Sequence, residues 1–514
     1  MRPTPPGLEV ELKLLLPREA VRSLNRHRLL RSAGRPARAR LRSIYYDTPA
    51  LDLWRQGITL RVRRDGSRWV QTVKGGGQVR GGLHRRAEAE VEVAGPAPEL
   101  ALLRDRASAG VLASDEIRAQ LEPVFTTDFV RVSRILEPQP GVRVEASVDQ
   151  GLIRSGDRRA ELCEFELELK DGAPQHLYQL ALQLSEAVPL SICDRSKAER
   201  GYALARGRPA SPVKARPAAL HGAMTVNGAF KAVMWAGLAH LLANAPGMVE
   251  SRDTEYLHQV RVALRRLRSA IGIFAPPFPD AVLAPVRSDL KWLASRLGPA
   301  RDWDVFVTET LPAIQATAGA HGALEDFAAR CRKLRRSAHA QALRALRSPR
   351  YRRFTLSLAA RLSSESGLPA LDAGARAGLA APAPAFAATV LEKRYARVRK
   401  KGRMLGTLTP RERHRLRIAI KKFRYAADFF SGLYRDAETR EALRRLSRLQ
   451  DILGAMNDAA TAAKLAQPAF DAAPGRRARA ARAILLEWRR ARTATLGREL
   501  KSAWNEFRAA GKFW

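Results

Sequence analysis

Between Glu9 and Leu169 the chain alternates charged and aliphatic residues with a period of two, in six separate stretches. Glu9, Glu11 and Lys13 interleave with Val10, Leu12 and Leu14; Arg61 and Arg63 with Leu60 and Val62; Glu88, Glu90 and Glu92 with Ala89, Val91 and Val93. Thr72 and Lys74 share a face, as do Arg143, Glu145 and Asp149, and Glu164, Glu166 and Glu168 interleave with Phe165, Leu167 and Leu169. Successive side chains of a strand point to opposite faces, so each stretch has one charged side and one aliphatic side. One such stretch is an ordinary half-exposed strand. Six, carrying both signs at high density, predict a barrel or strongly curved antiparallel sheet with its charges inward and its aliphatic outside covered by helices. Unpaired buried charge is expensive, so such a lumen is wet and needs a guest carrying both phosphate and a divalent cation. Arg and Lys neutralise phosphoryl oxygens, and rows of carboxylates hold a hard cation such as Mg²⁺ or Mn²⁺.

The pattern fills residues 8–205, with turn signals at Asp65-Gly66, Gly75-Gly76-Gly77 and Gly156-Asp157 and short helical patterns at 18–30, 99–106, 114–120 and 174–186. Residues 206–220 hold three prolines and no apolar period, which reads as a linker. From 221 to 514 the pattern is helical, broken at Pro246-Gly247, Pro276-Pro277, Gly298-Pro299, Pro349, Pro369 and Pro410. The fold class is therefore α+β multidomain: about eight antiparallel strands in a barrel or strongly curved sheet over 1–205, then an all-α bundle over 221–514.

The helical part is duplicated. His258-Gln-Val-Arg-Val-Ala-Leu-Arg-Arg-Leu-Arg268 returns as His414-Arg-Leu-Arg-Ile-Ala-Ile-Lys-Lys-Phe-Arg424, an offset of 156, and the following Leu297-Gly-Pro-Ala-Arg-Asp302 returns as Leu453-Gly-Ala-Met-Asn-Asp458 at the same offset. A constant interval over so long a gap predicts two related halves, about 221–370 and 386–514, separated by the Ala/Gly/Pro-rich stretch 371–385. At about 100° per residue, His258, Arg261, Arg265 and Arg268 fall within one arc of roughly 80°. His414, Arg417, Lys421 and Arg424 do the same in the second copy, and no acidic residue lies inside either stripe. Two like-charged stripes repel unless a polyanion lies between them. Asp302 and Asp458 each follow a glycine by a few residues, which reads as helix capping, with orientation of a basic side chain as the alternative.

Charge sharpens the partition. Residues 1–205 hold 33 Lys+Arg and 27 Asp+Glu, a net of +6, whereas the other 309 hold 57 and 24, a net of +33. The helical part therefore draws polyanions. Its basic stripes contain no aromatic residues on which bases could stack, which argues against nucleic acid. The three cysteines, Cys163, Cys193 and Cys331, lack metal-ligand or redox spacing and point to a reducing cytoplasm. No signal-like apolar core follows Met1, and no uninterrupted apolar run is long enough for a membrane span, so a soluble protein without membrane partners is expected. Trp292, Trp303, Trp488 and Trp504 read as packing residues, and the basic stretch Arg476–Arg492 as an exposed helix face.

The ordered set Glu9-x-Glu-x-Lys13, Tyr45-Tyr-Asp-Thr48, Leu60-Arg-x-Arg63, Lys74, Arg86-x-Glu-x-Glu90, Glu164-x-Glu-x-Glu168 and Ser196-Lys-x-x-x-Gly-Tyr202 resembles the CYTH, or triphosphate tunnel metalloenzyme, superfamily. The repeated His-x-x-Arg helices and their Leu-Gly turns resemble the CHAD domain, which is associated with inorganic polyphosphate. The order is that of bacterial CYTH–CHAD inorganic triphosphatases. The resemblance implies that the strands form an eight-stranded antiparallel β tunnel, and it implies hydrolysis of inorganic triphosphate with Mg²⁺ or Mn²⁺. Glu9, Glu11, Glu166 and Glu168 would hold metal, and Glu88 and Glu90 a second metal or the attacking water. Lys13, Arg61, Arg63, Lys74, Arg143 and Lys197 would contact phosphate. Arg131 or Arg134 would add another contact, and parity does not choose between them. Tyr45–Thr48 is split evenly between a site role and a turn. His258, Arg261, Arg265, Arg268, His414, Arg417, Lys421 and Arg424 would bind inorganic polyphosphate, which implies association with polyphosphate granules. The competing readings are hydrolysis of another triphosphate, such as thiamine triphosphate, and a non-catalytic polyphosphate scaffold.

Overall fold

The computed structural model describes residues 8–102, 112, 114–207, 210–318, 322–364 and 371–514. The chain divides into two compact units, 1–211 with 352–367, and 212–351 with 368–514.

In the first unit, eight strands close into an antiparallel barrel: β1 (Leu8–Leu15), β2 (Ala37–Asp47), β3 (Thr59–Asp65), β4 (Arg68–Arg80), β5 (Leu83–Val93), β6 (Glu122–Gln139), β7 (Val142–Ser155) and β8 (Arg158–Asp171). The order β5-β4-β3-β2-β6-β7-β8-β1 is closed by β1 pairing with β5, and a two-residue strand β9 (Ser191–Ile192) takes over β1 at Leu14 and Leu15. Closure removes the open sheet edges. The hairpins at Gly66 and Gly156 turn as expected, both with positive φ. Gly75–Gly77 is not a turn. It is a bulge inside β4, where Gly76 has φ +55 and a side chain on Gly77 would collide with Arg86, and the chain reverses later at Gly81-Gly82. Of the expected helix 99–106, Leu100–Leu102 forms a 3-10 turn; residues 103–106 and Pro369 lie outside the described residues, as do 208 and 209.

The aliphatic face of the barrel is buried on its outside. Leu12 and Leu14 are fully buried near helix α1 (Gln175–Ser185), which packs on β1 and β8 through a buried face including Leu177, Leu180 and Leu184. Leu60, Val62 and Val73 form a second outer cluster with Tyr46, Leu53, Ile58 and Val93. Burying a Leu side chain is worth about 1.5–3 kcal/mol, so these clusters offset much of the cost of a charged interior. Helix α2 (Lys197–Arg206) caps one end of the barrel, packing Ala198 and Tyr202 on Tyr45, Phe125 and Ile153. Gly201 lies against the Phe125 ring, where a Cβ would come within 2.0 Å.

The second unit repeats four long helices: α3 (Val226–Glu250), α4 (Thr254–Phe274), α5 (Asp280–Val305) and α6 (Gly322–Arg347), then α7 (Ala383–Lys401), α8 (Pro410–Phe430), α9 (Asp436–Asp471) and α10 (Arg476–Ala509). Helices α4 and α8 are both 21 residues long and start 156 residues apart, and α5 and α9 also start 156 apart. Pro246 and Gly298-Pro299 do not break helices. Pro246 sits inside α3 and Pro299 inside α5, where the buried Leu297, Ala300 and Trp303 offset the roughly 3 kcal/mol that an interior proline costs. The expected linker begins inside α2 at Arg206; the described residues from Gly207 to Leu220 form no helix or strand, yet Val213 is held to the second unit: its N–H donates to Asn244 Oδ1 at 2.9 Å, and Asn244 Nδ2 donates to its carbonyl at 3.0 Å. Helix α3 is apolar enough by length and composition to cross a membrane, with a mean hydropathy of 1.3, but much of it packs inside the unit.

Candidate functional site

The lumen side of the barrel is polar. Glu9, Glu11 and Lys13 of β1, Thr59, Arg61 and Arg63 of β3, Lys74 of β4 and Arg86 of β5 line a cavity that opens to solvent. Tyr45, Phe129, Arg131 and Glu166 complete the strand lining, and Ser196, Lys197 and Ala198 enter with the first turn of α2. Ten lining residues are charged, seven basic and three acidic. The lining therefore favours an anion.

Each carboxylate is held by cations. Lys74 Nζ lies 2.6 Å from Glu9 and 2.9 Å from Glu88. Lys13 contacts Glu11 at 2.8 Å and also pairs with Glu166 Oε1. Lys197 reaches the same oxygen of Glu166 at 2.7 Å, Asp149 at 2.8 Å and Glu164 at 3.0 Å. Arg131 forks onto Asp149 at 2.7 and 2.6 Å and also donates to Glu166. Arg61 donates to Glu88 at 3.2 Å, Arg63 to Glu90 at 3.3 Å, and Thr72 to Glu90 at 2.9 Å. Among the described residues, the Nε groups of Arg61 and Arg63 are buried with no acceptor.

Burial and neighbours divide the carboxylates. Burial pushes Glu11 up, against the pull of Lys13, and Glu166 and Glu9 add to the rise. Burial would also raise Glu166, but Lys13, Lys197 and Arg131 together hold it well below the usual range. His84, which faces Glu11 across β5 and β1, is pulled down to about 3 by burial, Lys13 and Arg86, so it is neutral throughout the physiological range.

In the helical unit the two basic stripes meet. Helices α4 and α8 pack together, and Arg265 Nε donates to Tyr425 Oη at 3.2 Å across the contact. Burial, then Arg265, Arg417, Arg261 and Arg268, pull Lys421 down to about 8. His258 is lowered by burial and by Arg301. Arg268 and His414 are exposed, His414 Nδ1 lies 3.3 Å from Asn457 Oδ1, and Arg424 donates to Gln450 at 2.8 Å. Asp302 and Asp458 are not helix caps. Both lie inside long helices, because α5 and α9 run straight through the Leu-Gly segments, and both face the stripes: Asp302 acts on Arg261 and Asp458 on Arg417. The acids missing from the stripes themselves thus arrive from neighbouring helices.

Residues 7–202 match the CYTH domain family and residues 232–467 the CHAD domain family. The chain carries a CYTH domain followed by a CHAD domain. It is 33% identical over 166 residues to an inorganic triphosphatase of Haemophilus influenzae, a match covering 32% of this chain and 46% of that relative, less than half its length. The CHAD domain from the plant Ricinus communis covers 59% of this chain and 99% of its own at 32% identity, with a TM-score of 0.51. A putative adenylyl cyclase from Hippeastrum, described as having a dominant triphosphatase activity, covers 39% of this chain and 97% of its own at 18% identity and a TM-score of 0.30.

Within the CYTH barrel, the expected residues Glu9, Glu11, Lys13, Arg61, Arg63, Lys74, Arg131, Glu166 and Lys197 come together around the cavity. Glu88 and Glu90 stand behind it, holding Lys74, Arg61 and Arg63. Arg131 rather than Arg134 faces inward; Arg134 donates outside the cavity to Asn25 at 3.0 Å. Arg143 does not join the site. It is exposed and lies 3.6 Å from both Glu137 and Asp171, and a register irregularity between Arg143 and Val144 separates it from the inward series of Ser147 and Asp149. Glu168 is also outside the cavity lining, paired at 2.7 Å with Lys170, one register step beyond the ring that contains Glu166. Asp47 shapes a turn, accepting from the N–H groups of Thr48, Leu53 and Trp54, whereas Tyr45 lines the cavity. Asp149, Glu164 and Arg200 had no site role from the sequence, although Glu164 stands in the Glu164-x-Glu-x-Glu168 row. Asp149 showed only its parity, and Arg200, 2.6 Å from Glu164, only its place on the capping helix.

The donor set suits a hard divalent cation in its chemistry. Glu9, Glu11 and Glu166 offer carboxylate oxygens, and the burial and, after it, the mutual repulsion that raise Glu11 are what a cation relieves. Among the described residues, no three acid, histidine or cysteine side chains are already gathered at ligating distance, since the lysines occupy the carboxylates.

Proposed function

We propose that the CYTH domain hydrolyses inorganic triphosphate to diphosphate and orthophosphate with a divalent cation, and that the CHAD domain binds inorganic polyphosphate. The observation that carries the first part is the lining of seven bases and three acids, with the Nε donors of Arg61 and Arg63 buried and unmatched. A triphosphate chain gives the bases phosphoryl oxygens in place of carboxylates. Lys13 and Lys74 then release Glu11 and Glu9, and these with Glu166 are the residues that would hold Mg²⁺ or Mn²⁺. A bound cation supplies charge neutralisation across the phosphoryl oxygens. The chain's own residues do the rest. Arg61, Arg63, Arg131, Lys13 and Lys197 fix the chain and stabilise charge on the departing diphosphate. Glu88 and Glu90, behind the lining, hold Lys74, Arg61 and Arg63 in place.

Orthophosphate release from tripolyphosphate with Mg²⁺ or Mn²⁺, compared with Glu11→Gln, tests this reading; equal rates would overturn it. The same assay run with thiamine triphosphate and ATP decides whether another triphosphate is preferred. For the CHAD domain the support is the convergence of the α4 and α8 stripes. Replacing His258, Arg265, His414 and Lys421 by Ala should weaken binding of long-chain polyphosphate, and unchanged affinity would make the stripes ordinary surface. Such binding would place the protein on cytoplasmic polyphosphate granules.

A further inference from the structure

Lys421 is chemically unlike the other lysines of the helical unit. It lies on α8 one helical turn before Tyr425, on the side that meets α4, and is half-buried. The charged groups that act on it are Arg261, Arg265 and Arg268 from α4 and Arg417 from its own helix, all cations. Among the described residues it makes no hydrogen bond or ion pair, unlike Lys13, Lys74 and Lys197 in the barrel. Two of its neighbours, Arg261 and Arg417, have buried Nε groups with no acceptor, at equivalent positions of the two repeat halves. The place thus combines an unpaired amine with unsatisfied donors suited to a phosphoryl group.

We propose that Lys421 is a site of acylation by acyl phosphates, small molecules in which an acyl group is joined to phosphate, and that its acylation weakens polyanion binding by the paired stripes. Arg261 and Arg417 hold the phosphoryl end, and the neutral amine attacks the carbonyl carbon. The carbon–oxygen bond to phosphate breaks, orthophosphate leaves with the bonding pair, and the nitrogen gives up one proton to solvent as the amide forms. No oxidant, reductant or further reactant enters. The surrounding guanidinium groups and burial, which pull Lys421 down to about 8, keep part of it neutral near physiological pH. The product removes a cation where the two stripes cross.

The proposal rests on the reading of the paired stripes as an anion site only for capture of the phosphoryl end. The full chain is incubated with acetyl phosphate at pH 8, and acetylation is followed site by site by peptide mass spectrometry. Lys421 should react at least about tenfold faster than its exposed neighbour Lys422, because burial and its arginine neighbours favour the neutral amine of Lys421 beside the donors that hold the phosphoryl end. Arg417→Gln should slow Lys421 alone, and Lys421→Gln should weaken polyphosphate binding more than Lys421→Arg. Acetic anhydride, which carries no phosphate, reads the amine's reactivity by itself. Selectivity with the anhydride but not with acetyl phosphate would overturn the proposal, as would equal rates at Lys421 and Lys422. Selective acetylation by acetyl phosphate without any polyphosphate binding would leave the acylation site standing and remove the polyphosphate reading.

Discussion

Lys13, from the first strand, and Lys197, from the helix that caps the barrel, close on one carboxylate oxygen of Glu166. Residues 184 positions apart are thereby tied through a single acid, and the strand that supplies the acid ties both to Arg131. The capping helix is part of the site and not merely a lid over it.

Glu166→Gln removes the charge that three cations share. Breaking a buried ion pair from one side costs about 3–5 kcal/mol, because the remaining charges stay buried and unpaired. The expected outcome is a lower urea midpoint of the barrel unit together with lost activity. Lys197→Met, which removes one of those cations, should recover part of the stability but none of the activity.

Asp194 is half-buried, accepts from the Gly82 N–H at 2.5 Å, and is pushed up to about 6 by its desolvation. Its folded value lies above its unfolded value, so the folded state holds the extra proton. Stability is therefore lost as pH rises from about 4 to 6, and the whole penalty is present at pH 7. Asp194→Asn keeps the acceptor and removes the penalty, and should stabilise the protein by up to about 3 kcal/mol at pH 7 but not at pH 3.5. Unfolding midpoints at the two pH values check this; an equal effect at both would contradict it.

Gly201→Ala places a methyl group against the Phe125 ring at a distance no real Cβ tolerates. Overpacking of this kind typically costs about 1–3 kcal/mol. The helix carrying Lys197 must shift, so the melting temperature and the activity should fall together. Phe125→Leu in the same chain should restore both in part.

Polyanion binding by the CHAD domain should tighten as pH falls through about 8, where Lys421 gains its proton. The gain expected from one more charged contact is roughly tenfold in Kd, about 1.4 kcal/mol. His258 is lowered and so titrates below this window. Lys421→Met should flatten the profile between pH 7 and 9.5, measured by calorimetry with long-chain polyphosphate; an unaltered profile would assign the proton elsewhere.

The sequence by itself determined the barrel, the polar direction of its interior and the duplicated helices, since a period of two and an offset of 156 are properties of order along the chain. It also named most of the cavity lining, because parity places alternate residues of one strand on one face. Tertiary structure alone decided which members of a parity series reach the centre. Arg143 and Glu168 share the inward parity yet lie outside the lining, one beyond a register irregularity and the other at the rim beside Lys170. It also decided that Asp149 and Glu164 hold Lys197, that Asp302 and Asp458 are interior helix residues, and that Lys421 stands among the arginines of the other repeat half. Alternation is local, whereas pairing and burial depend on which distant segment closes the barrel or crosses the helix, and that is set by packing free energy summed over the whole unit.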